Sequence, residues 1–326
     1  MIKKIINWSA FLVIALFAYM FWYASTPVSL RQVPIGFELQ PGSNLSALSR
    51  QMEAAGVIPD AWRFRILTRI LGKANKIKAG YYILDAPVTP MQLLDKLVAG
   101  DVSLREIVFI EGWTFAQIRN ALDINPLVRH DTKDMSEQEI LQTLGVPLIH
   151  AEGWFFPAKY YIDAGSSDVS ILQRAYDTMQ QHLQTAWESR DAGLPYTSPT
   201  DALIMASIIE KETGAVAERP LIAAVFINRL RKGMRLQTDP TVIYGLGAQY
   251  DGNIHKRDLM ADTPYNTYTR SGLPPTPIAM PGLASILAAL HPAKSDALYF
   301  VAKGDGSHYF SNNLDEHNRA VARYQK

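Results

Sequence analysis

The sequence contains no cysteine in its 326 residues. Disulfide bonds, thiol nucleophiles and cysteine-ligated zinc are therefore excluded. It also lacks an excess of charge of either sign, since 32 basic residues stand against 31 acidic ones, for a formal net charge of +1. Because nucleic-acid binding depends on clustered positive charge, we expect no nucleic-acid partner.

Several catalytic signatures are missing as well. The sequence has no His-Glu-x-x-His zinc motif, no glycine-rich phosphate loop and no Gly-x-Ser-x-Gly nucleophile motif. We therefore expect neither a metal nor a cofactor. What is present is an ordinary globular composition, with 48% apolar and 19% charged residues, which is enough to build a large core.

Long uncharged apolar runs are scarce: the sequence has one, 20 residues long, at residues 5–24. At about 1.5 Å per residue, a helix of that length spans the roughly 30 Å hydrocarbon layer of a membrane. Lys3 and Lys4 precede the run, and no further Lys or Arg appears until Arg31. The positive-inside rule then predicts a cytoplasmic tail at residues 1–4 and a single transmembrane helix at residues 5–24. The remainder of the chain would lie in the periplasm, on the outer side of the inner membrane.

A cleaved signal peptide is the alternative interpretation of the same run. The apolar region of a signal peptide is usually about 7–15 residues long, which is shorter than this one. The residues that follow, Ser25, Thr26 and Pro27, make a poor cleavage site. Both points favour a retained anchor.

The patterns after the anchor indicate an α+β protein with two folded parts. Residues 25–35 read as a linker, and residues 36–105 as a small domain with helices at 42–56, 59–71 and 89–99 and a strand at 79–84. Residues 110–326 form a larger domain of mixed helices and strands. Helices begin in it near Thr114, Ser136 and Ser170.

The segment 201–217 is the strongest candidate for carrying chemistry. Seven of the eight side chains at positions 202–209 are apolar, which is typical of a helix buried on all sides. We expect Thr200 or Asp201 to cap its start. Glu210 and Glu212 stand at its end, about 200° apart around the helix axis, so they should face different surroundings.

A carboxylic acid at the end of a buried helix loses hydration, which favours its neutral form. Cleavage of a glycosidic bond needs an acid that still holds its proton near neutral pH. Glu210 is therefore a candidate general acid, and we expect Glu212 to be structural. Spacing alone leaves an exposed carboxylate at a helix end as an equally good interpretation of Glu210.

Two polar segments downstream are candidates for binding sugar. Gln237, Thr238 and Asp239 form a dense polar cluster before a proline, in a pattern typical of a turn. Tyr265 and Asn266 combine an aromatic ring with an amide, and ring faces pack well on the C–H surfaces of sugars. Structural loops are the plainer interpretation of both segments.

Six segments together resemble the signature of the endolytic murein transglycosylase family (MltG, YceG-like). They are residues 152–157, 206–213, 225–230, 236–245, 265–268 and 272–275, and they occur in the family's order. The resemblance covers nearly the whole chain. One small departure is Met280 before Pro281, where asparagine or threonine is frequent in the family.

This resemblance implies a specific activity. Members of the family are lyases that cleave β-1,4 bonds between N-acetylmuramic acid and N-acetylglucosamine inside nascent peptidoglycan strands, leaving a 1,6-anhydro-muramoyl end. The family's catalytic glutamate maps onto Glu210. Its first domain resembles a LysM module, here residues 36–105. The resemblance also implies that the enzyme acts beside penicillin-binding synthases and ends strand elongation.

Two rival functions fit the same sequence. A lysozyme-type hydrolase needs a second carboxylate, for which Asp239 and Glu152 are the candidates. A non-catalytic membrane scaffold would bind glycan through the LysM-like part and would need no acid. A lyase needs Glu210 alone, because the attacking hydroxyl belongs to the sugar.

Overall fold

The computed structural model describes residues 2–40, 42–101, 105–163 and 165–325, and for residues 2–10, 12, 13 and 105 it describes the backbone alone. The chain divides into two compact units, residues 1–106 with 161–166, and residues 107–160 with 167–326. Helices and short strands occur in both, so the predicted α+β class is confirmed at that level.

The first helix, α1 (Ile2–Ser25), covers the segment predicted to cross a membrane. The side chains of residues 1–10, 12 and 13, which include part of that segment, lie outside the described residues. Across the described residues, no helix combines the length and the apolar character that crossing a membrane requires. The transmembrane helix predicted at residues 5–24 stays a prediction. Near the end of α1, Met20, Tyr23 and Ala24 are buried in one cluster with Leu67.

The smaller unit is built on an antiparallel pair of strands, β1 (Ile35–Leu39) and β2 (Gly80–Leu84). Alternate residues of β1 are buried, as expected for a strand with one face on a core. Phe37 stacks on Tyr82 across the pair, with ring centroids 5.7 Å apart. The other helices of the unit are α2 (Leu45–Ala54), α3 (Ala61–Ile70) and α4 (Pro90–Ala99). Leu48, Phe64 and Leu93, one from each of these helices, are buried in the same core.

The remaining elements are short strands and helices of different lengths, and one of the helices is buried on all sides. The elements before that helix are β3 (Arg105–Val108), α5 (Phe115–Asp123), β4 (Val128–Arg129), α6 (Glu137–Thr143), β5 (Lys159–Ile162), β6 (Ser166–Ser167) and α7 (Asp168–Glu188). The elements from that helix onward are α8 (Pro199–Glu212), α9 (Arg219–Arg231), α10 (Asp239–Leu246), α11 (Lys256–Met260), α12 (Leu283–Leu290), β7 (Tyr299–Ala302), β8 (His308–Ser311) and α13 (Leu314–Tyr324). Strand β3 pairs with β5, β4 with β6, and β7 with β8.

Helix α8 is the buried helix that the sequence predicts. Residues 202–209 are all buried, and α7, α9, α10 and α12 pack around them. The helix begins earlier than predicted, because Ser198 caps it by accepting a hydrogen bond of 3.3 Å from the backbone N–H of Asp201. Pro199 occupies the first turn, where its missing N–H costs nothing. Thr200 and Asp201 are therefore helical residues, and the prediction that one of them is the cap is wrong.

The polar cluster at residues 237–239 is the entrance to a helix rather than the predicted turn. Asp239 is the first residue of α10, and Pro240 follows it in the first turn. Gln237 has a φ of 53°, a left-handed conformation that is uncommon for a residue with a side chain. Its backbone N–H donates to the carbonyl of Thr267 at 3.1 Å, which ties the entrance of α10 to the 265–268 segment.

Candidate active site

The last turn of α8 presents its polar side chains in different directions. Glu210 faces the starts of α9 and α12, where it contacts Arg219, Gly282 and Ser285. Lys211 reaches the carbonyl of Gly112 at 3.3 Å. Glu212 turns toward the entrance of α10. This divergence follows from the helical rotation of about 100° per residue, and it separates the two glutamates as the sequence predicts.

Glu210 is buried and surrounded by hydrogen-bond donors. Its side chain is 5% exposed, so the alternative of an exposed carboxylate at a helix end is wrong. Oε1 accepts a hydrogen bond of 2.9 Å from Nη2 of Arg219, and Oε2 accepts from the N–H of Gly282 at 3.0 Å and from Oγ of Ser285 at 2.8 Å. Three donors, one of them a guanidinium, are the partners that suit a negatively charged carboxylate.

Arg219 is the charged partner that the sequence analysis does not foresee. Its side chain is 5% exposed, and Nη2 lies 2.9 Å from Glu210 and 3.7 Å from Oε2 of Glu111. Its Nε is buried and finds no acceptor among the described residues, so one edge of the guanidinium is not fixed by a hydrogen bond. Arg219 begins α9, where helical periodicity alone suggests only a surface residue of a first turn.

Glu111 is the second residue that sequence reasoning misses. It follows β3 in an irregular segment, and its side chain is 50% exposed. Its carboxyl lies against Gly282, because a Cβ on that glycine would be only 2.0 Å from Oε1 of Glu111. No periodicity or spacing in the sequence connects Glu111 with α8. The structure places the next residue, Gly112, beside Glu210 and Lys211.

Glu212 lies on the other side of the helix end, where it forms part of a cavity wall. The hydroxyl of Thr238 donates a short hydrogen bond to its Oε1. Burial raises the pKa of Glu212 from an ordinary 4.5 to about 7, against the opposing effect of the Thr238 hydrogen bond. Glu212 thus anchors the entrance of α10 to the end of α8, which is the structural role predicted for it.

Gln237 and Asp239 line a cavity of about 520 Å³ on the Glu212 side of α8. Asp239 accepts a hydrogen bond of 2.5 Å from the hydroxyl of Tyr268, and Arg229 lies in the same wall. Both predicted sugar-binding residues therefore face open space.

Tyr265 lines a different and larger cleft, of about 970 Å³, together with Glu152, Lys211 and Tyr244. Glu152 accepts hydrogen bonds from the backbone N–H of Phe115 at 3.1 Å and from the hydroxyl of Tyr244 at 3.2 Å. Burial raises the pKa of Glu152 to about 7, and these two hydrogen bonds oppose the shift. The cleft thus combines aromatic rings, a cation and a carboxyl that titrates near neutral pH.

Thr238 and Asn266 are buried, at 2% and 1% exposure. The side-chain amide of Asn266 donates to the carbonyls of Asp258, Leu259 and Ala261, at 3.0, 3.2 and 2.7 Å. Thr238 bonds Glu212 through its hydroxyl and Thr267 through its N–H. In this structure both side chains hold loops in place, and their predicted contact with sugar stays a prediction.

No group of three or more His, Asp or Glu side chains suited to a metal ion occurs within the described ranges. The donors around Glu210 are a guanidinium, a backbone N–H and a hydroxyl, none of which is a metal ligand in that role. The arrangement is instead that of a buried carboxyl group held by three hydrogen-bond donors.

Comparison with known families identifies the family of the chain. A model of the YceG-like family matches residues 37–323. The chain belongs to the YceG-like family. The resemblance inferred from six sequence segments is thereby confirmed, and the match includes both the smaller unit and the residues around Glu210.

Relatives of this YceG-like chain carry a common name. A Bacillus subtilis (strain 168) protein named endolytic murein transglycosylase is 33% identical over 311 residues, which cover 89% of this chain and 84% of the relative. A protein of the same name from Streptococcus pneumoniae (strain D39) is 28% identical over 332 residues; the match covers 91% of this chain and 59% of the longer relative. A 2.6 Å crystal structure of a YceG-like protein from Listeria monocytogenes superimposes with a TM-score of 0.57 at 32% identity, covering 88% of this chain and 98% of that one.

Proposed function

We propose that this protein is an endolytic peptidoglycan lytic transglycosylase. It cleaves the β-1,4 bond between N-acetylmuramic acid and N-acetylglucosamine inside nascent strands, leaves a 1,6-anhydro-muramoyl end and so terminates elongation. The name shared by its relatives supports the substrate class. The observation that carries the proposal is the single carboxylate, Glu210, buried among three donors at the end of α8.

The chemistry needs one carboxyl group acting twice. Protonated Glu210 gives its proton to the glycosidic oxygen as the bond from C1 breaks, and positive charge develops on C1 and the ring oxygen. The resulting carboxylate then takes the proton of the C6 hydroxyl of the same muramic acid, whose oxygen bonds to C1. Glu210 ends protonated again, and no water is consumed. Arg219, Gly282 and Ser285 stabilise the carboxylate between the two transfers, because each donates to it.

The test is a matched pair of substitutions in the full-length protein, Glu210→Gln and Glu212→Gln, incubated with purified glycan strands. We expect Glu210→Gln to form no anhydro-ended products above background, since an amide cannot supply the proton. Glu212→Gln should stay within a few-fold of the wild-type rate, because the carboxyl of Glu212 accepts from Thr238 and has no step in the proposed reaction. Wild-type product levels from Glu210→Gln would remove this residue from the mechanism.

A hydrolase is the second candidate, and one observation favours it. Glu111 and Glu210 contact the same nitrogen of Arg219, so two carboxylates lie close together, as in glycosidases whose carboxyl groups are about 5–9.5 Å apart. Glu152 in the large cleft is a further carboxyl. Product masses decide, because hydrolysis adds one water to each cut and the lyase adds none.

We also propose that the protein is located at the inner membrane, with its catalytic part in the periplasm where its substrate is built. Lys3 and Lys4 precede α1, and Phe11, Ile14 and Phe17 on that helix are 65%, 67% and 61% exposed. Exposed apolar side chains of this size favour a lipid or protein surface. Fractionation of cells with an alkaline wash tests the location, and release of the full-length protein into the soluble fraction would contradict it.

The smaller unit would supply the LysM-like glycan-binding function, and penicillin-binding synthases would be the partners that deliver nascent strands. The glycan-binding function and the synthase partners are both proposed from the resemblance to the family, and each has its own test. We expect variants with intact chemistry and a disrupted smaller unit to bind less insoluble peptidoglycan. Cross-linking in cells should capture a synthase, and binding of glycan without any cleavage by the wild-type protein would favour the scaffold alternative.

A further inference from the structure

Glu111 shares its surroundings with Glu210. Nη2 of Arg219 lies 2.9 Å from Oε1 of Glu210 and 3.7 Å from Oε2 of Glu111. The two carboxyl groups also flank the same glycine: the N–H of Gly282 donates to Glu210 at 3.0 Å, and the carboxyl of Glu111 rests on the face where a Cβ of Gly282 would be. Two separate contacts therefore place the carboxyl of Glu111 beside that of Glu210.

The three charged groups differ in their access to solvent. Glu210 and Arg219 are each 5% exposed, whereas Glu111 is 50% exposed. A guanidinium buried to this degree needs an anionic partner, since removing one member of a buried ion pair leaves an uncompensated charge. When Glu210 takes up the proton that the proposed reaction requires, it can no longer supply that negative charge. Among the described residues, Glu111 has a carboxylate close enough to Arg219 to supply that charge.

Other charged groups near Glu210 are engaged elsewhere. Lys211, on the same helix, donates to the carbonyl of Gly112 and is exposed. Glu212 is bonded to Thr238, and Glu218, just before α9, pairs with His308 at 2.7 Å. Helix α12, which follows Gly282, carries no charged residue. The charge state of Glu210 is thus coupled mainly to Arg219 and, through it, to Glu111.

We propose that Glu111 is a positioning residue for the acid step: it holds Arg219 while Glu210 is protonated and yields Arg219 back to Glu210 once the proton has gone to the glycosidic oxygen. The charges balance in both states. With Glu210 protonated, Arg219 and Glu111 form a neutral pair, and with Glu210 ionised the guanidinium stabilises the new carboxylate at 2.9 Å. The half-exposed carboxyl of Glu111 stays in contact with solvent in both states. This inference rests on the proposed transglycosylase function.

The test is the pH profile of kcat/KM for anhydro-product formation by the full-length protein and by Glu111→Gln. Without Glu111, protonation of Glu210 leaves the buried guanidinium of Arg219 without an anionic partner. Protonated Glu210 is then less favourable, so activity is lost at a lower pH than in the wild type. We expect the high-pH limb to move to lower pH by on the order of one unit, as a unit charge a few ångströms away produces at a partly screened site. Activity at low pH should approach that of the wild type.

Two further variants complete the test. Glu111→Asp keeps the charge on a shorter stem and should restore most of the profile. Glu188→Gln removes one negative charge from the exposed end of α7 and should leave the profile unchanged. Thermal unfolding of each variant confirms that it is folded.

The outcomes separate the two proposals. A profile of Glu111→Gln that superimposes on that of the wild type, or a rate lowered equally at every pH, would overturn the role of Glu111 and leave the transglycosylase function standing. Products one water heavier from the wild-type protein would overturn the proposed function, and this inference with it. A drop in kcat at every pH together with hydrolytic products would instead make Glu111 the second carboxylate of a hydrolase.

Discussion

Arg219 donates a hydrogen bond of 2.9 Å to Glu210, and both side chains are only 5% exposed. An ion pair buried this deeply is costly to form and more costly to break, because the partner left behind has neither water nor a counter-charge. The catalytic candidate is therefore also a point on which the stability of the larger unit depends. Its energetics are accessible to measurement without any substrate.

Arg219→Met should destabilise the protein by about 3 kcal/mol or more, the usual effect of removing one member of a buried pair. The double variant Glu210→Gln/Arg219→Met should regain much of that loss, because no unpaired charge remains at the pair. Urea unfolding of the two single variants and the double variant gives the coupling energy. Additive effects of the two substitutions would show that the pair contributes little in solution.

Glu212→Gln should change how stability depends on pH. Burial raises the pKa of Glu212 from 4.5 to about 7, so between these values the folded protein binds the proton more tightly than the unfolded chain does. The stability that this group contributes is therefore fully present below about pH 4.5 and is lost as pH rises through about 7. The loss approaches about 3 kcal/mol. Urea unfolding from pH 4 to 8 should show a shallower decline for Glu212→Gln, and parallel curves for the two proteins would contradict the assignment.

The sequence predicts helix α8 well because its signal is local. Side chains at 202–209 are apolar on all sides, and only burial explains such a pattern. Its start was misplaced by a few residues because Ser198 and Pro199 form a better capping pair than the residues that follow. The prediction of a turn at 237–239 is wrong because proline suits both a turn and the first turn of a helix. Packing of α10 against α8 favours the helix.

The surroundings of Glu210 have no local signal. Arg219, Glu111 and Ser285 come from separate segments that only the tertiary fold brings together. The candidate sugar-binding residues show the same limit, since periodicity does not reveal that Gln237 and Tyr265 line different cavities. Motif resemblance pointed to Glu210, and the fold was needed to find the residues that contact it.

Asn266 should behave as a structural residue in the absence of glycan. Its amide donates to three backbone carbonyls, so Asn266→Ala leaves these acceptors without a partner and should cost about 1–3 kcal/mol. Asn266→Asp should cost more, because a carboxylate oxygen would then face the same carbonyls. Asn253→Asp, at an exposed position, is the control and should be near neutral. An Asp variant as stable as the wild type would show that the loop does not depend on this amide.

Glu152 should act in substrate binding rather than in bond cleavage. It lines the 970 Å³ cleft with Tyr244 and Tyr265, and burial raises its pKa to about 7, so it gains a negative charge as pH rises through neutrality. Glycan strands that carry peptide stems are themselves anionic, and we expect the wild-type KM to increase above about pH 7 for that reason. Glu152→Gln should abolish this increase and leave kcat within a few-fold of the wild-type value.

A matched comparison is available in the same cleft, since Glu137 also lines it and is 44% exposed. Its carboxylate is already solvated, so Glu137→Gln should alter KM less and should keep the increase of KM with pH. That increase should begin at a slightly lower pH, because the charge of Glu137 helps to raise the pKa of Glu152. The opposite pattern for Glu152→Gln, with kcat reduced a hundred-fold or more and KM unchanged, would make Glu152 a participant in the chemistry. That result would favour the two-carboxylate hydrolase over the lyase, because a lyase whose nucleophile is the sugar's own hydroxyl has no step for a second carboxyl to perform.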